Sequence, residues 1–209
     1  MQVRTALGAY FAENSYLVSD ETTSNAILID PGAPIAVFDR YIQDEKLKLT
    51  DILLTHGHID HLAGAGYYRQ KYHVPIWLHK EEADVLKYTL EQYADILGKE
   101  AENIVPERWF REGDSISSLS LSVLETPGHT KGSVVFRLGN ALFTGDTLFC
   151  GSIGRMDLYT GDERQMRNSL LKLFALKDNL KIYPGHGETT TLDEERRWNP
   201  YVREIGQTE

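Results

Sequence analysis

Apolar residues in this chain come in short runs of two kinds. Asn14–Val18 and Asn25–Asp30 read as brief strands, separated by the turn-rich Ser19–Ser24, with Pro31–Gly32 closing the second. From Ile35 to Asp44 the period changes: Ile35, Val37, Phe38, Tyr41 and Ile42 fall on one helical face. Asp51–Leu54 is an apolar strand that runs straight into a polar segment, after which a helix is predicted from about His61 to Tyr72. Val74–Leu78 reads as a strand and Lys80–Leu97 as one long helix. Leu119–Glu125 alternates as a strand does, and Ser133–Leu138 and Ala141–Thr144 flank Gly139–Asn140 as a hairpin. An amphipathic helix over Glu163–Leu176 and a last strand over Leu180–Tyr183 complete the pattern. Strands and helices interleave without a repeat or a linker, which predicts one layered α/β domain over residues 1–209.

Composition narrows the class. The 209 residues are 41% hydrophobic and 25% charged, which excludes a disordered or fibrous chain. A net charge of −9 disfavours nucleic acid as a partner. No apolar run is long enough to span a bilayer, and the first residues lack a basic stretch followed by an apolar one. The single cysteine, Cys150, allows no internal disulfide, so a cytoplasmic location is expected, with Cys150 itself buried. One cysteine also excludes a cysteine-rich zinc site, leaving imidazoles and carboxylates to hold any metal.

Those groups are concentrated. Thr55-His56-Gly57-His58-Ile59-Asp60-His61 packs three histidines and an aspartate into six residues. His56 and His58 are two apart, so on an extended tail they point to one side. Asp60 and His61 fall where the chain turns into a helix and face a second point. Gly57 is expected to let the backbone pass close to a metal. Such a loop serves two ions and completes neither. Three more donors follow predicted strands at small-residue turns: His129 in TPGHT, Asp146 in FTGDT and His186 in YPGHG. Strand ends are where open α/β sheets place ligands. His73 and His79 lack such turns and read as structural or surface residues. Thr55, Thr130 and Thr147 adjoin the donors and either orient them by hydrogen bonds or cap turns. Lys131 reads as solvated, and Tyr88 and Tyr93 on the long helix read as core residues, with lining of the pocket as the alternative.

In this order the residues resemble the metallo-β-lactamase superfamily, from NSYLV to PGHG. The resemblance implies an αββα sandwich, two mixed sheets between helices, with the metals at one edge of the sheets. It implies two divalent ions, with zinc expected, although the same donors accept iron and manganese. His56, His58 and His129 would bind the first ion, and Asp60, His61 and His186 the second. Asp146 would bridge them, and Asp60 would also orient the attacking water. Within the superfamily the chain is similar to the glyoxalase II group (hydroxyacylglutathione hydrolases). That similarity rests on Asp60-His61 after the H-x-H pair, on GDTLFCGSIGRMDL (Gly145–Leu158) and on PGHG. Arg155 falls where that group carries a basic, substrate-binding residue; Asp157 stands near a tyrosine of the longer enzymes. Only 23 residues follow His186, which resembles the short glyoxalase II-like proteins. The implied activity is hydrolysis of small-molecule thioesters of the S-lactoylglutathione kind. The alternatives are a mononuclear iron persulfide dioxygenase using His56, His129 and Asp146, a lactone or ester hydrolase on the same fold, and a binding module without turnover. A homo-oligomer is left open.

Overall fold

The computed structural model describes residues 1–8 and 12–205. Its first sheet holds β1 (Gln2–Leu7), β2 (Asn14–Ser19), β3 (Asn25–Ile29), β4 (Lys48–Leu53), β5 (Ile76–His79) and β6 (Pro106–Phe110), side by side in that order. The pairs β1–β2 and β2–β3 are antiparallel, and those from β3 to β6 are parallel. The crossovers carry α1 (Ala36–Asp44) after β3, α2 (Ile59–Leu62) and α3 (Ala65–Tyr72) after β4, and α4 (Ala83–Gln92) and α5 (Ala94–Leu97) after β5. The second sheet comprises β7 (Ser115–Ile116), β8 (Leu121–Glu125), β9 (Val134–Leu138), β10 (Ala141–Gly145), β13 (Lys181–Pro184) and β14 (Thr190–Thr191), in the order β14-β13-β10-β9-β8-β7. Between β10 and β13 lie a two-stranded ribbon, β11 (Leu148–Phe149) with β12 (Ser152–Ile153), and helix α6 (Glu163–Phe174). Helices α7 (Leu192–Trp198) and α8 (Pro200–Ile205) follow β14.

Side-chain alternation makes the layers. In β2 and β3, Tyr16, Val18, Ile27 and Ile29 face the second sheet, where they meet Val123, Val134, Phe136, Ala141 and Phe143. Their neighbours Leu17, Ala26 and Leu28 point the other way, onto Phe38 and Ile42 of α1 and Tyr68 of α3. In the second sheet Val135, Leu142 and Ile182 turn outward onto Met166, Leu170 and Leu173 of α6. Both sheets are therefore covered on both faces, the expected αββα sandwich with mixed sheets. Such strands read as continuous apolar runs, as NAILI and ALF do. Each large aliphatic side chain buried this way contributes roughly 1.5–3 kcal/mol.

Several boundaries differ from expectation. β1 and β6 are strands the pattern does not predict, because QVRTAL and PERWF carry neither a continuous apolar run nor a clean alternation and are largely exposed. The helix expected over His61–Tyr72 starts earlier and is two pieces. The chain breaks at Ala63–Gly64, where the Gly64 N–H donates to Pro31 O at 2.8 Å and a Cβ would stand 2.4 Å from the Ala33 backbone. The long helix is a 3₁₀ turn (Lys80–Glu82) followed by α4 and α5, interrupted at Tyr93. Cys150 is exposed, not buried, because it sits at the turn of the β11–β12 ribbon. Among the described residues no helix is long and apolar enough to cross a membrane.

Candidate metal centre

The parallel pairing of β3 and β4 sets the loop that follows β4. Asp30, just past β3 at φ +48°, is buried against that loop. It accepts hydrogen bonds from the Thr55 N–H (2.7 Å) and the Thr55 hydroxyl (2.6 Å), and its Oδ2 lies 2.9 Å from His61 Nδ1. With Nδ1 donating to Asp30, the bare Nε2 of His61 faces inward. Thr55 Oγ1, its proton given to Asp30, accepts from His56 Nδ1 at 3.1 Å and leaves His56 Nε2 bare. His129 repeats the arrangement: its Nδ1–H donates to the Arg155 carbonyl at 2.7 Å, and its Nε2 points at His58 Nδ1, 2.9 Å away. Each ring is held by one nitrogen so that the other is free to ligate.

Asp146 reaches the centre from the end of β10. Its Oδ1 is 3.2 Å from His61 Nε2, and its Oδ2 is 3.5 Å from His129 Nε2 and 3.7 Å from His186 Nε2. Asp60 Oδ2 lies 3.2 Å from His186 Nε2 and 3.7 Å from His61 Nε2. Two glycines make room. At Gly145 (φ +46°) a Cβ would come within 2.4 Å of Thr55 Oγ1, and at Gly185 within 2.3 Å of Asp146 Oδ1. All seven predicted donors thus come together. Three sets keep their donor atoms within 4.8 Å of one another: His56–His58–His129, Asp60–His61–His186, and His56–His61–Asp146. His56 Nε2, His61 Nε2 and Asp146 Oδ1 are buried without a hydrogen-bond partner. Orphaned lone pairs of this kind are costly in a protein interior and fit a cation that would accept them.

Charge follows burial. Desolvation, reinforced by neighbouring imidazoles, holds His56 far below the ordinary histidine range and His58 down to about 4; burial also lowers His129. These three are neutral at pH 7, the form that binds metal. Burial alone would raise Asp60 and Asp146, but the surrounding imidazoles, His61 foremost with His186 (and His129 at Asp146), together outweigh it and both stay ionised. Burial alone would lower His61 and His186. The Asp60 and Asp146 carboxylates, joined at His61 by Asp30, reverse this and raise both.

Glu82 is a further carboxylate that sequence reasoning missed. Fully buried in the 3₁₀ turn before α4, it accepts from the Gly57 N–H (2.7 Å), the Thr130 hydroxyl (2.7 Å) and the Gly132 N–H (2.8 Å). It ties the His56–His61 loop to the His129 turn. Gly57 serves this docking and not an approach to metal: a Cβ there would sit 3.1 Å from both Glu82 Oε2 and the Leu86 nitrogen. Of the three threonines, only Thr55 touches a donor ring; Thr130 binds Glu82, and Thr147 meets Thr126 at 2.8 Å. His79 pairs with Glu125 at 2.9 Å and His73 ends α3 at φ +54°, both outside the cluster. Lys131 is ion-paired with Asp84.

The centre opens into a cavity of about 480 Å³. Ile59, Tyr93, Phe149, Ile153 and Leu158 form its apolar walls, and Arg155 lines it too. Arg155 is engaged with Asp157 at 2.6 and 2.7 Å. Tyr88, expected in the core, is instead exposed and stacks on Tyr159 with ring centroids 4.7 Å apart. A larger depression of about 710 Å³, lined by Arg69, His73 and Arg108 among others, contains none of the clustered donors.

The family model described as the metallo-β-lactamase superfamily matches residues 9–186, and the chain belongs to that superfamily of metal-dependent hydrolases. A hydroxyacylglutathione hydrolase of Haemophilus influenzae, GloC, is 36% identical over 199 residues, covering 92% of this chain and 93% of that one. Among solved structures, the B3 metallo-β-lactamase BLEG-1 superposes with a TM-score of 0.84 at 28% identity, covering 96% of this chain and 99% of its own. TTHA1623, solved in a di-iron-bound form, gives a TM-score of 0.79 at 32% identity, with 95% and 100% coverage.

Proposed function

We propose that this chain is a dinuclear metal-dependent thioester hydrolase of the glyoxalase II kind, acting on small thioesters such as S-lactoylglutathione. His56, His58 and His129 would hold one ion, Asp60, His61 and His186 the other, and Asp146 would serve both. The observation that carries this reading is the position of Asp146. Its two oxygens face opposite triads, Oδ1 toward His61 at 3.2 Å and Oδ2 toward His129 at 3.5 Å. Divalent ions bound there would supply Lewis acidity, bringing the pKa of a water down to about 7 and polarising the thioester carbonyl. The protein's own part is placement. The buried triad fixes where the carbonyl lies, and Asp60, at the cavity floor, accepts a hydrogen bond that aims the attacking water. The apolar walls exclude bulk water. The similarity to GloC supports the thioester over a lactam or lactone.

Zinc is the proposed metal; the di-iron form of TTHA1623 makes iron its rival on the same donors. The single cysteine supports a cytoplasmic site of action. Elemental analysis of the purified protein, paired with an S-lactoylglutathione assay, tests the proposal. Two metals per chain with thioester cleavage support it; one iron per chain with oxygen consumption and no cleavage supports the dioxygenase instead.

A further inference from the structure

We propose that Asp157 sets the charge preference of the cavity, so that among the thioesters cleaved one with an uncharged, largely apolar thiol arm is preferred to one that bears carboxylates. This rests on the thioesterase reading above. Among the described residues lining the cavity, Arg155 is the one lysine or arginine. A planar guanidinium there would be the natural grip for a substrate carboxylate. Its fork is already filled: Nε and Nη2 donate to the two oxygens of Asp157 at 2.6 and 2.7 Å. Asp157 is two residues away on the same turn, so it competes with any incoming carboxylate as an intramolecular partner. The Arg155 side chain has a second freedom. It is the Arg155 backbone carbonyl, not the guanidinium, that holds His129. The guanidinium is therefore not tied to the metal centre, and its side chain is 63% exposed. Of the walls beside it, Phe149, Ile153 and Leu158 offer nothing to an anion, and Tyr93 offers one neutral hydroxyl and no charge. Leu158, next to Asp157 and 40% exposed, extends the apolar surface to the rim.

The test compares two lactoyl thioesters on the metal-replete protein. One is built on glutathione, whose arm carries two carboxylates; the other is built on N-acetylcysteamine, whose arm is neutral. The wild type should favour the neutral arm in kcat/KM. Asp157→Asn should raise kcat/KM for the glutathione thioester relative to the neutral one by about three- to fivefold, the size of an exposed ion pair. The gain should appear in KM and not kcat, shrink at high salt, and vanish in the Arg155→Ala/Asp157→Asn double variant. A wild type that prefers the glutathione arm, or a variant with an unaltered preference, overturns the proposal while leaving the thioesterase reading intact. Cleavage of neither substrate overturns both.

Discussion

The two halves of the metal centre are built differently. On one side His56 and His129 are 0% and 2% exposed, and each is anchored through its far nitrogen, to Thr55 and to the Arg155 carbonyl. On the other side His186 and Asp60 have side chains 30% and 16% exposed, and only His61 is sealed in; the cavity is lined from both sides, by His58 and His129 as well as by Asp60 and His186. The first half grows from strand ends packed in the sandwich. The second is supplied by the short helix α2 and the turn after β13. The contrast teaches that both halves face the cavity, but the first is braced more tightly by the fold than the second.

If that is right, the two halves should fail differently, and the largest failure belongs to the residue they share. Asp146→Ala removes the carboxylate between the triads and leaves His61 Nε2 facing only Asp60 Oδ2, at 3.7 Å. Elemental analysis should find both ions depleted, and thioesterase activity should fall below detection. A variant that keeps two metals and full turnover would end the bridging assignment. Next in size is the split between His186→Ala and His129→Ala. His186→Ala should keep one ion per chain and lose over about a hundredfold in activity, more than an outer hydrogen-bond partner supplies. His129→Ala, taken from the braced half, should lose both. Equal metal loss in the two variants would erase the asymmetry.

Asp30→Asn acts one step further out. Asparagine tolerates the left-handed backbone at this position, but its amide cannot satisfy Thr55 N–H, the Thr55 hydroxyl and His61 Nδ1 together as two carboxylate oxygens do. His61 loses the partner that fixes its tautomer. A chelator competition titration should show metal affinity reduced about 10- to 100-fold, with the second ion released first. Unchanged affinity would mean that Asp30 serves only the fold.

The ligands were legible in the sequence and their supports were not, for a physical reason. His56, His58, Asp60 and His61 are conspicuous because metal-binding residue types crowd one loop, and His129, Asp146 and His186 because small-residue turns present them. Asp30 ends an ordinary apolar strand. What makes it matter is the parallel pairing of β3 with β4, which seats it against Thr55 and His61. The Asp30-Pro31-Gly32 run was a turn signal, but it named no partner. Glu82 lay inside what reads as a continuous polar helix start; its burial depends on where α4 lands over Gly57 and Gly132. The same distinction governs the fold. Apolar runs buried on both faces, such as NAILI and ALF, announced themselves. The edge strands β1 and β6 did not, because an edge is defined by its neighbours more than by its own pattern. Tyr88 shows the converse error, a helical aromatic assigned to the core that finds Tyr159 on the surface.

The smallest effect expected is also the one that separates folding from catalysis most cleanly. Glu82 touches no metal donor, yet it joins the loop that carries four of them to the turn that carries His129. Its Oε2 takes the Gly57 N–H, and its Oε1 takes both the Thr130 hydroxyl and the Gly132 N–H. In Glu82→Gln the side-chain NH₂ replaces one of these oxygens. Whichever way the amide turns, it faces a buried backbone N–H, of Gly57 or of Gly132, and that donor loses its acceptor. A buried unsatisfied donor costs about 1–3 kcal/mol. For a chain of this size that corresponds to a fall in Tm of about 2–12 °C. Glu82→Ala should fall further, since all three donors are orphaned. At temperatures well below the transition, Glu82→Gln should still carry two metals and keep a substantial share of its turnover, because the rings remain held by Thr55, Asp30 and the Arg155 carbonyl. Loss of metal without loss of Tm would reverse the assignment, making Glu82 part of the centre's electrostatics and not a brace between its two loops.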